Sequence, residues 1–163
     1  MVSKIEKKLK NIKLVLTDVD GVLTDGGMYY SETGEFMKKF NTRDGMGMEL
    51  LRNLNIKTIF VTRENSKIVK TRVKKIGNVD LYSGILDKKK LLPKILLKYN
   101  VELNQIGYIG DDVNDIEIMK SIGFSATPSD GNYQVKNISD YICETPGGKG
   151  AFREFADLII KLN

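Results

Sequence analysis

Histidine is missing from this 163-residue chain, and cysteine occurs once. Without an imidazole, Ser-His-Asp and Cys-His relays and histidine-held zinc are excluded. Acid–base chemistry must then rest on carboxylates, lysines or tyrosines. The lone thiol, Cys143, has no partner for an intrachain disulfide and suits a reducing compartment. Its apolar setting, Tyr141-Ile142-Cys143, reads as a buried structural position rather than a nucleophile. No apolar run approaches the roughly 20 residues of a membrane span. The basic start through Lys13 is not followed by an apolar signal core. Together these absences predict a cytoplasmic protein with no membrane partner. Repeats, low-complexity tracts and Pro/Gly/Ser linkers are also missing, so residues 1–163 read as one domain.

What is present is ordinary for a globular protein, with 41% hydrophobic and 29% charged residues. The net charge of +5 is spread over predicted polar helix faces, as at Lys67, Lys70 and Lys74. Aromatic residues do not interleave with these lysines, so no nucleic-acid partner is expected. A basic surface also favours an anionic small substrate.

Short apolar runs at 13–17, 57–61, 81–82, 105–109 and 124–126 read as buried parallel strands. Helical patterns fall at 5–9, 45–53, 65–76, 88–99, 114–122, 133–137 and 152–161, with Asp44 expected to cap the second. Met28 to Tyr30 and Phe36 to Phe40 read as a hairpin turning at Gly34. The alternation predicts an α/β fold, a three-layer Rossmann-like parallel sheet with a hairpin insertion.

Ligands of such sheets bind beyond the carboxyl ends of the strands. The loops after Thr17, Val61 and Ile109 lie there, which gathers Asp18, Asp20, Thr62, Asp111, Asp112 and Asp115 into one crevice. So many carboxylates in a water-poor cleft repel one another unless a cation joins them. A hard divalent ion suits the oxygen ligands, and magnesium is the default beside phosphate.

The run Asp18-Val19-Asp20-Gly21-Val22-Leu23-Thr24-Asp25 resembles the first motif of haloacid dehalogenase phosphatases. Thr62 matches the second motif, Lys88 the third, and Gly110-Asp111-Asp112-Val113-Asn114-Asp115 the fourth, all in order. The resemblance implies Asp18 as nucleophile, Asp20 as general acid and base, and Thr62 and Lys88 as phosphate binders. It also implies magnesium on Asp18, Asp111 and the backbone carbonyl of Asp20, with Asp112 and Asp115 orienting its surroundings.

Too few residues separate Gly21 from Asp44 for a large cap domain. The chain is similar here to the capless sugar-acid phosphatases, also through Gly26-Gly27-Met28-Tyr29-Tyr30, Phe40-Asn41-Thr42-Arg43-Asp44-Gly45 and Gly147-Gly148-Lys149-Gly150. That family implies a homotetramer associated through its hairpins. Glu64, Arg72 and Lys75 resemble the spacing in phosphatases of nine-carbon 2-keto-3-deoxy acids, which makes a nine-carbon 9-phosphate the expected substrate. The alternative is 3-deoxy-octulosonate 8-phosphate, and a solvated charged helix accounts for the same three residues. Arg63 stands where the family usually has glycine, which either alters the phosphate loop or adds a ligand. The 147–150 segment reads equally as a flap carrying Lys149 to phosphate or as a plain turn. A degenerate oligomerisation module is a third reading, opposed by the complete set of acids.

Overall fold

The computed structural model describes residues 4–163. The chain runs α1 (Lys4–Lys10), β1 (Leu14–Thr17), β2 (Tyr29–Ser31), β3 (Gly34–Met37), α2 (Thr42–Asn53), β4 (Lys57–Val61), α3 (Lys67–Ile76) and β5 (Asp80–Tyr82). It continues through α4 (Leu92–Tyr99), β6 (Ile106–Ile109), α5 (Ile116–Met119), β7 (Phe124–Thr127), α6 (Tyr133–Lys136), β8 (Tyr141–Ile142) and α7 (Ala151–Ile160). Six strands form one sheet in the order β5-β4-β1-β6-β7-β8, and every pairing is parallel.

Strand β1 lies in the middle because its four residues are apolar or β-branched and all buried. Alternate side chains serve opposite faces. Val15 joins Phe60, Ile109 and Phe124 in a core closed by α2, α3 and α7, where Phe155 stacks on Phe124 at 6.1 Å. Leu14 and Leu16 join Ile59, Val61 and Tyr108 under Leu92 and Ile95 of α4, Ile118 of α5 and Val135 of α6. These two cores make the three layers. From β1 the chain builds outward through β4 and β5, then crosses to β6 and the far edge. That reversal opens a crevice at the carboxyl ends of β1, β4 and β6.

Three local expectations are corrected. Asn41, not Asp44, caps α2: its side chain accepts from the Arg43 N–H, while Asp44 is buried in the first turn and accepts from Arg153 N–H at 3.0 Å. The hairpin turns at Glu32-Thr33, with Gly34 opening β3 at φ 114°. Phe40 lies beyond the hairpin, bridged to Thr24 and packed against the core beneath Arg72. Strand β8 adds a sixth strand that two residues could not announce in sequence.

Cys143 is a free thiol, buried, with burial and nearby Glu154 pushing it up to about 12. Among the described residues, no helix is long and apolar enough to cross a membrane.

Candidate active site

The three strand tips that meet at the crevice carry three of the four motifs. Thr17 of β1 pairs in register with Phe60 of β4 on one side and Ile109 of β6 on the other. The next residue, Asp18, therefore emerges between the ends of both neighbours, and its N–H is held by the Ile109 carbonyl at 2.9 Å. Directly after it the backbone folds tightly, because the N–H groups of Leu23 and Thr24 both return to the Val19 carbonyl. Gly21 allows this at φ 86° and leaves room for its neighbour, since a side chain there would meet the Asp111 carboxylate at 1.9 Å. The first and fourth motifs are thus packed against each other.

Asp18, Asp20, Thr62, Arg63, Glu64, Asp111 and Asp112 line one open cavity of about 260 Å³. One carboxylate oxygen from each of Asp18, Asp111 and Asp115 lies within 4.8 Å of the others. Lys88 is buried against this cluster, 2.8 Å from Asp18 Oδ2 and 2.6 Å from Asp115 Oδ1, and donates to the Tyr108 hydroxyl at 3.1 Å. All three ammonium donors are engaged. Lys88 consequently sits beneath Asp18 rather than on the cavity wall.

Asp115 spends both oxygens on structure. Its Oδ1 accepts from Lys88 and from the Tyr108 hydroxyl at 2.6 Å, and its Oδ2 accepts from Asp111 N–H at 3.0 Å. Asp112 caps the short turn that follows, through Val113 N–H at 2.8 Å, and takes a bond from Asn132. Asp111 Oδ1, by contrast, is buried with no hydrogen-bond partner.

The electrostatics match this count of one ammonium among three carboxylates. Burial, reinforced by Asp115, raises Asp18 to about 7 even though Lys88 opposes it. Burial, then Asp18 and Asp115, raises Asp111 to about 8. Burial would pull Lys88 down, but Asp18 and Asp115 outweigh it and hold the ammonium charged. A divalent cation fits the surplus negative charge, with the orphaned Asp111 oxygen and Asp18 as its protein donors.

Other predicted residues fall elsewhere. Glu64 is exposed at the cavity rim. Arg72 and Lys75 line a different cavity, between α2, α3 and the start of β4, with Arg72 stacked on Phe40 and bonded to the Asn41 carbonyl. Within one chain, the trio does not converge. Lys149 is exposed and lines a third cavity beside Arg43 and Arg153. Its neighbours are docked. Gly148 N–H bonds the Val22 carbonyl at 2.9 Å, and a side chain at that position would meet Asp25 N at 2.4 Å. The segment 147–150 is docked on the first motif, where its glycines allow close approach.

Three residues at the site had no local signal. Tyr108 reads as an apolar strand residue, yet its hydroxyl orients Asp115. Lys38 reads as one more lysine, yet it is buried and pairs with Asp20 at 2.6 Å and Glu35 at 2.7 Å. Glu35 in turn accepts from Ser66, the residue capping α3.

The raised acids make stability depend on pH in a definite direction. Unfolded aspartates take up protons near 3.8, whereas folded Asp18 and Asp111 do so near 7 and 8. The folded state then holds more protons across this window, so stability falls as pH rises from about 4 to about 8. Asp44, raised by burial to about 6, adds to the lower half. Thermal melts in a chelator should show this decline. Asp111→Asn should flatten its upper part, and a divalent cation should restore the parent protein, but not this variant, at the alkaline end.

Comparison with known proteins agrees with the geometry. The profile of the haloacid dehalogenase-like hydrolases matches residues 53–153. The chain is 38% identical over 157 residues to the 3-deoxy-D-manno-octulosonate 8-phosphate phosphatase of Haemophilus influenzae, covering 96% of this chain and 87% of that one. The crystal structure of the Moraxella catarrhalis 3-deoxy-D-manno-octulosonate 8-phosphate phosphatase, in complex with magnesium, phosphate and a KDO molecule, superposes with TM-score 0.94. The identity there is 36%, with 100% of this chain and 94% of that chain covered. A cobalt-bound Haemophilus influenzae phosphatase matches with TM-score 0.92 and 39% identity over 95% of this chain and 91% of that one. Four motifs in order on a matching sheet, with relatives this similar along nearly the whole length, establish that the chain belongs to the haloacid dehalogenase-like hydrolases.

Proposed function

We propose that this protein is a magnesium-dependent phosphatase of 3-deoxy-octulosonate 8-phosphate that works through an aspartyl-phosphate. The observation that carries the reading is the convergence of Asp18, Asp20 and Asp111 on one crevice above a buried lysine. The eight-carbon ester is favoured over the nine-carbon one on two grounds. Relatives similar over nearly the full length are octulosonate phosphatases. The nine-carbon reading, in turn, depends on Glu64, Arg72 and Lys75, of which Glu64 lines one cavity of the chain and Arg72 and Lys75 another.

In the first step the Asp18 carboxylate attacks phosphorus, and an O–P bond forms as the ester O–P bond breaks. Asp20 gives its proton to the departing sugar oxygen. In the second step Asp20 takes a proton from the water that attacks the aspartyl-phosphate, which frees inorganic phosphate and restores Asp18. Lys88, held by Asp115 and Tyr108, offsets the charge of Asp18 and of the phosphoryl group it receives. Thr62 Oγ1 accepts from Glu64 N–H at 3.2 Å, which leaves its O–H to donate to a phosphoryl oxygen. Asp18, Asp111 and the Asp20 backbone carbonyl would hold magnesium, which when bound would supply positive charge favouring the approach of carboxylate and phosphate. Asp115 fixes the loop that presents Asp111, and Asp112 caps the turn that follows.

The hairpin supports a homotetramer. Met28, Tyr30 and Phe36 are 62%, 61% and 70% exposed in and beside a ribbon of only two strands, apolar surface that a second copy of the chain would cover. The cytoplasm, where sugar-phosphate esters and magnesium are both abundant, is the compartment this activity suits.

A phosphate-release panel over eight- and nine-carbon sugar-acid phosphates, with and without magnesium, tests the reading. Turnover should require the metal and favour the eight-carbon ester in kcat/KM; a clear nine-carbon preference would reverse the substrate assignment. Asp18→Asn should lower kcat roughly 10⁴-fold or more, the scale for losing a nucleophile, with an unchanged circular dichroism spectrum. Phe36→Glu should shift sedimentation from tetramer to smaller species, whereas an unshifted profile would place the subunit contact elsewhere.

A further inference from the structure

Lys38 is the one cation that reaches the Asp20 side chain among the described residues, and it comes from the hairpin rather than from any of the four motifs. Its side chain is 2% exposed, although it lies just past the end of β3 beside the solvent-facing Phe36 and Met37. The ammonium sits 2.6 Å from Asp20 Oδ1 and 2.7 Å from Glu35 Oε1. Glu35 Oε2 is held in turn by the hydroxyl of Ser66, whose Oγ caps α3 through Ile68 N–H. The chain of contacts therefore runs from Asp20 through the hairpin to the helix after the second motif. Asp20 Oδ2, in contrast, is buried without a hydrogen-bond partner.

Burying an ammonium is costly unless it is paired, and here two carboxylates pair it. Burial alone would pull Lys38 down, but Asp20 and Glu35 outweigh it and hold it charged. Glu35 shares the same ammonium, so a proton carried by Asp20 leaves a balanced Lys38–Glu35 pair beside it. The geometry leaves Asp20 with one oxygen restrained and one without a partner.

We infer that Lys38 is a positioning residue for the general acid: it pins Asp20 Oδ1 so that Oδ2 is presented to the leaving oxygen of the ester, with Glu35 and Ser66 fixing the ammonium. This inference rests on the role of Asp20 proposed above. A positioning role has a signature that a merely structural one lacks. A sugar alkoxide needs a proton as it departs, whereas p-nitrophenolate is stable as an anion and does not. Damage confined to proton delivery must therefore slow the first ester and spare the second.

Single-turnover cleavage, with magnesium-loaded enzyme in excess, separates this step from later hydrolysis of the phosphoenzyme. Lys38→Met should slow release of the sugar acid about 100-fold, at the lower end of what general acid catalysis contributes, and release of p-nitrophenolate less than about threefold. Lys38→Arg, which keeps the charge, should recover most of the loss. Glu35→Gln leaves the lysine in place but loosens it, and should show the same selectivity at smaller size even where Lys38→Met folds poorly. Equal slowing of both esters, in either variant, would make Lys38 a structural residue and overturn the inference. A parent enzyme that cleaves neither ester would instead overturn the phosphatase reading.

Discussion

Lys88 among the carboxylates of Asp18 and Asp115 is the interaction on which the remaining structure is arranged. A nucleophilic carboxylate must be buried enough to exclude water yet must stay ionised, and burial works against ionisation. One fully engaged ammonium below Asp18 opposes the effect of burial without cancelling it, so Asp18 is still raised to about 7, and the other side of the cluster is left short of positive charge. Burial and that shortage together raise Asp111, and they are the physical reason a divalent cation belongs there. Asp115 ties the arrangement together, since one side chain binds the lysine, the Tyr108 hydroxyl and the backbone of the Asp111 loop. Its substitution would disturb all three at once.

Much of this was legible in the residues because a carboxylate set directly after a buried strand is costly to desolvate and gains most where a cation meets it. The strand tips at Thr17, Val61 and Ile109 were apparent, and parallel pairing then obliged their loops to meet. Lys88 could be named from its place in the motif order, but its burial could not. What stayed hidden depends on contacts between distant segments. Tyr108 follows the strand pattern perfectly and differs from its neighbours only in what its hydroxyl reaches. Lys38 is one lysine among many until the hairpin folds back over Asp20. Asn41 and Asp44 are equally good caps by type, and Arg153 decides between them, because its N–H claims Asp44 from another helix. Arg72 and Lys75 do share a side of α3, but that side turns toward α2 and β4 rather than toward the acids.

The hairpin has two different obligations. It presents Met28, Tyr30 and Phe36 to solvent, and it delivers Lys38 and Glu35 to the loop that carries Asp20. A short ribbon of this kind has little stability of its own. The ion pair between Lys38 and Asp20 and the bond from Ser66 to Glu35 therefore anchor it to the domain.

The docking of Gly148 against Val22 and Asp25 has a consequence for how the protein comes into being on the ribosome. Asp18, the proposed nucleophile, is translated long before the backbone that braces its turn. Strand β1 likewise waits for β6 before both its edges are paired. Contacts of such wide sequence separation form late, so a nascent chain carries all the acids of the first motif well before they are held in a reactive geometry. A chain that stopped before the glycine segment would lack the backbone that braces the turn after Asp18.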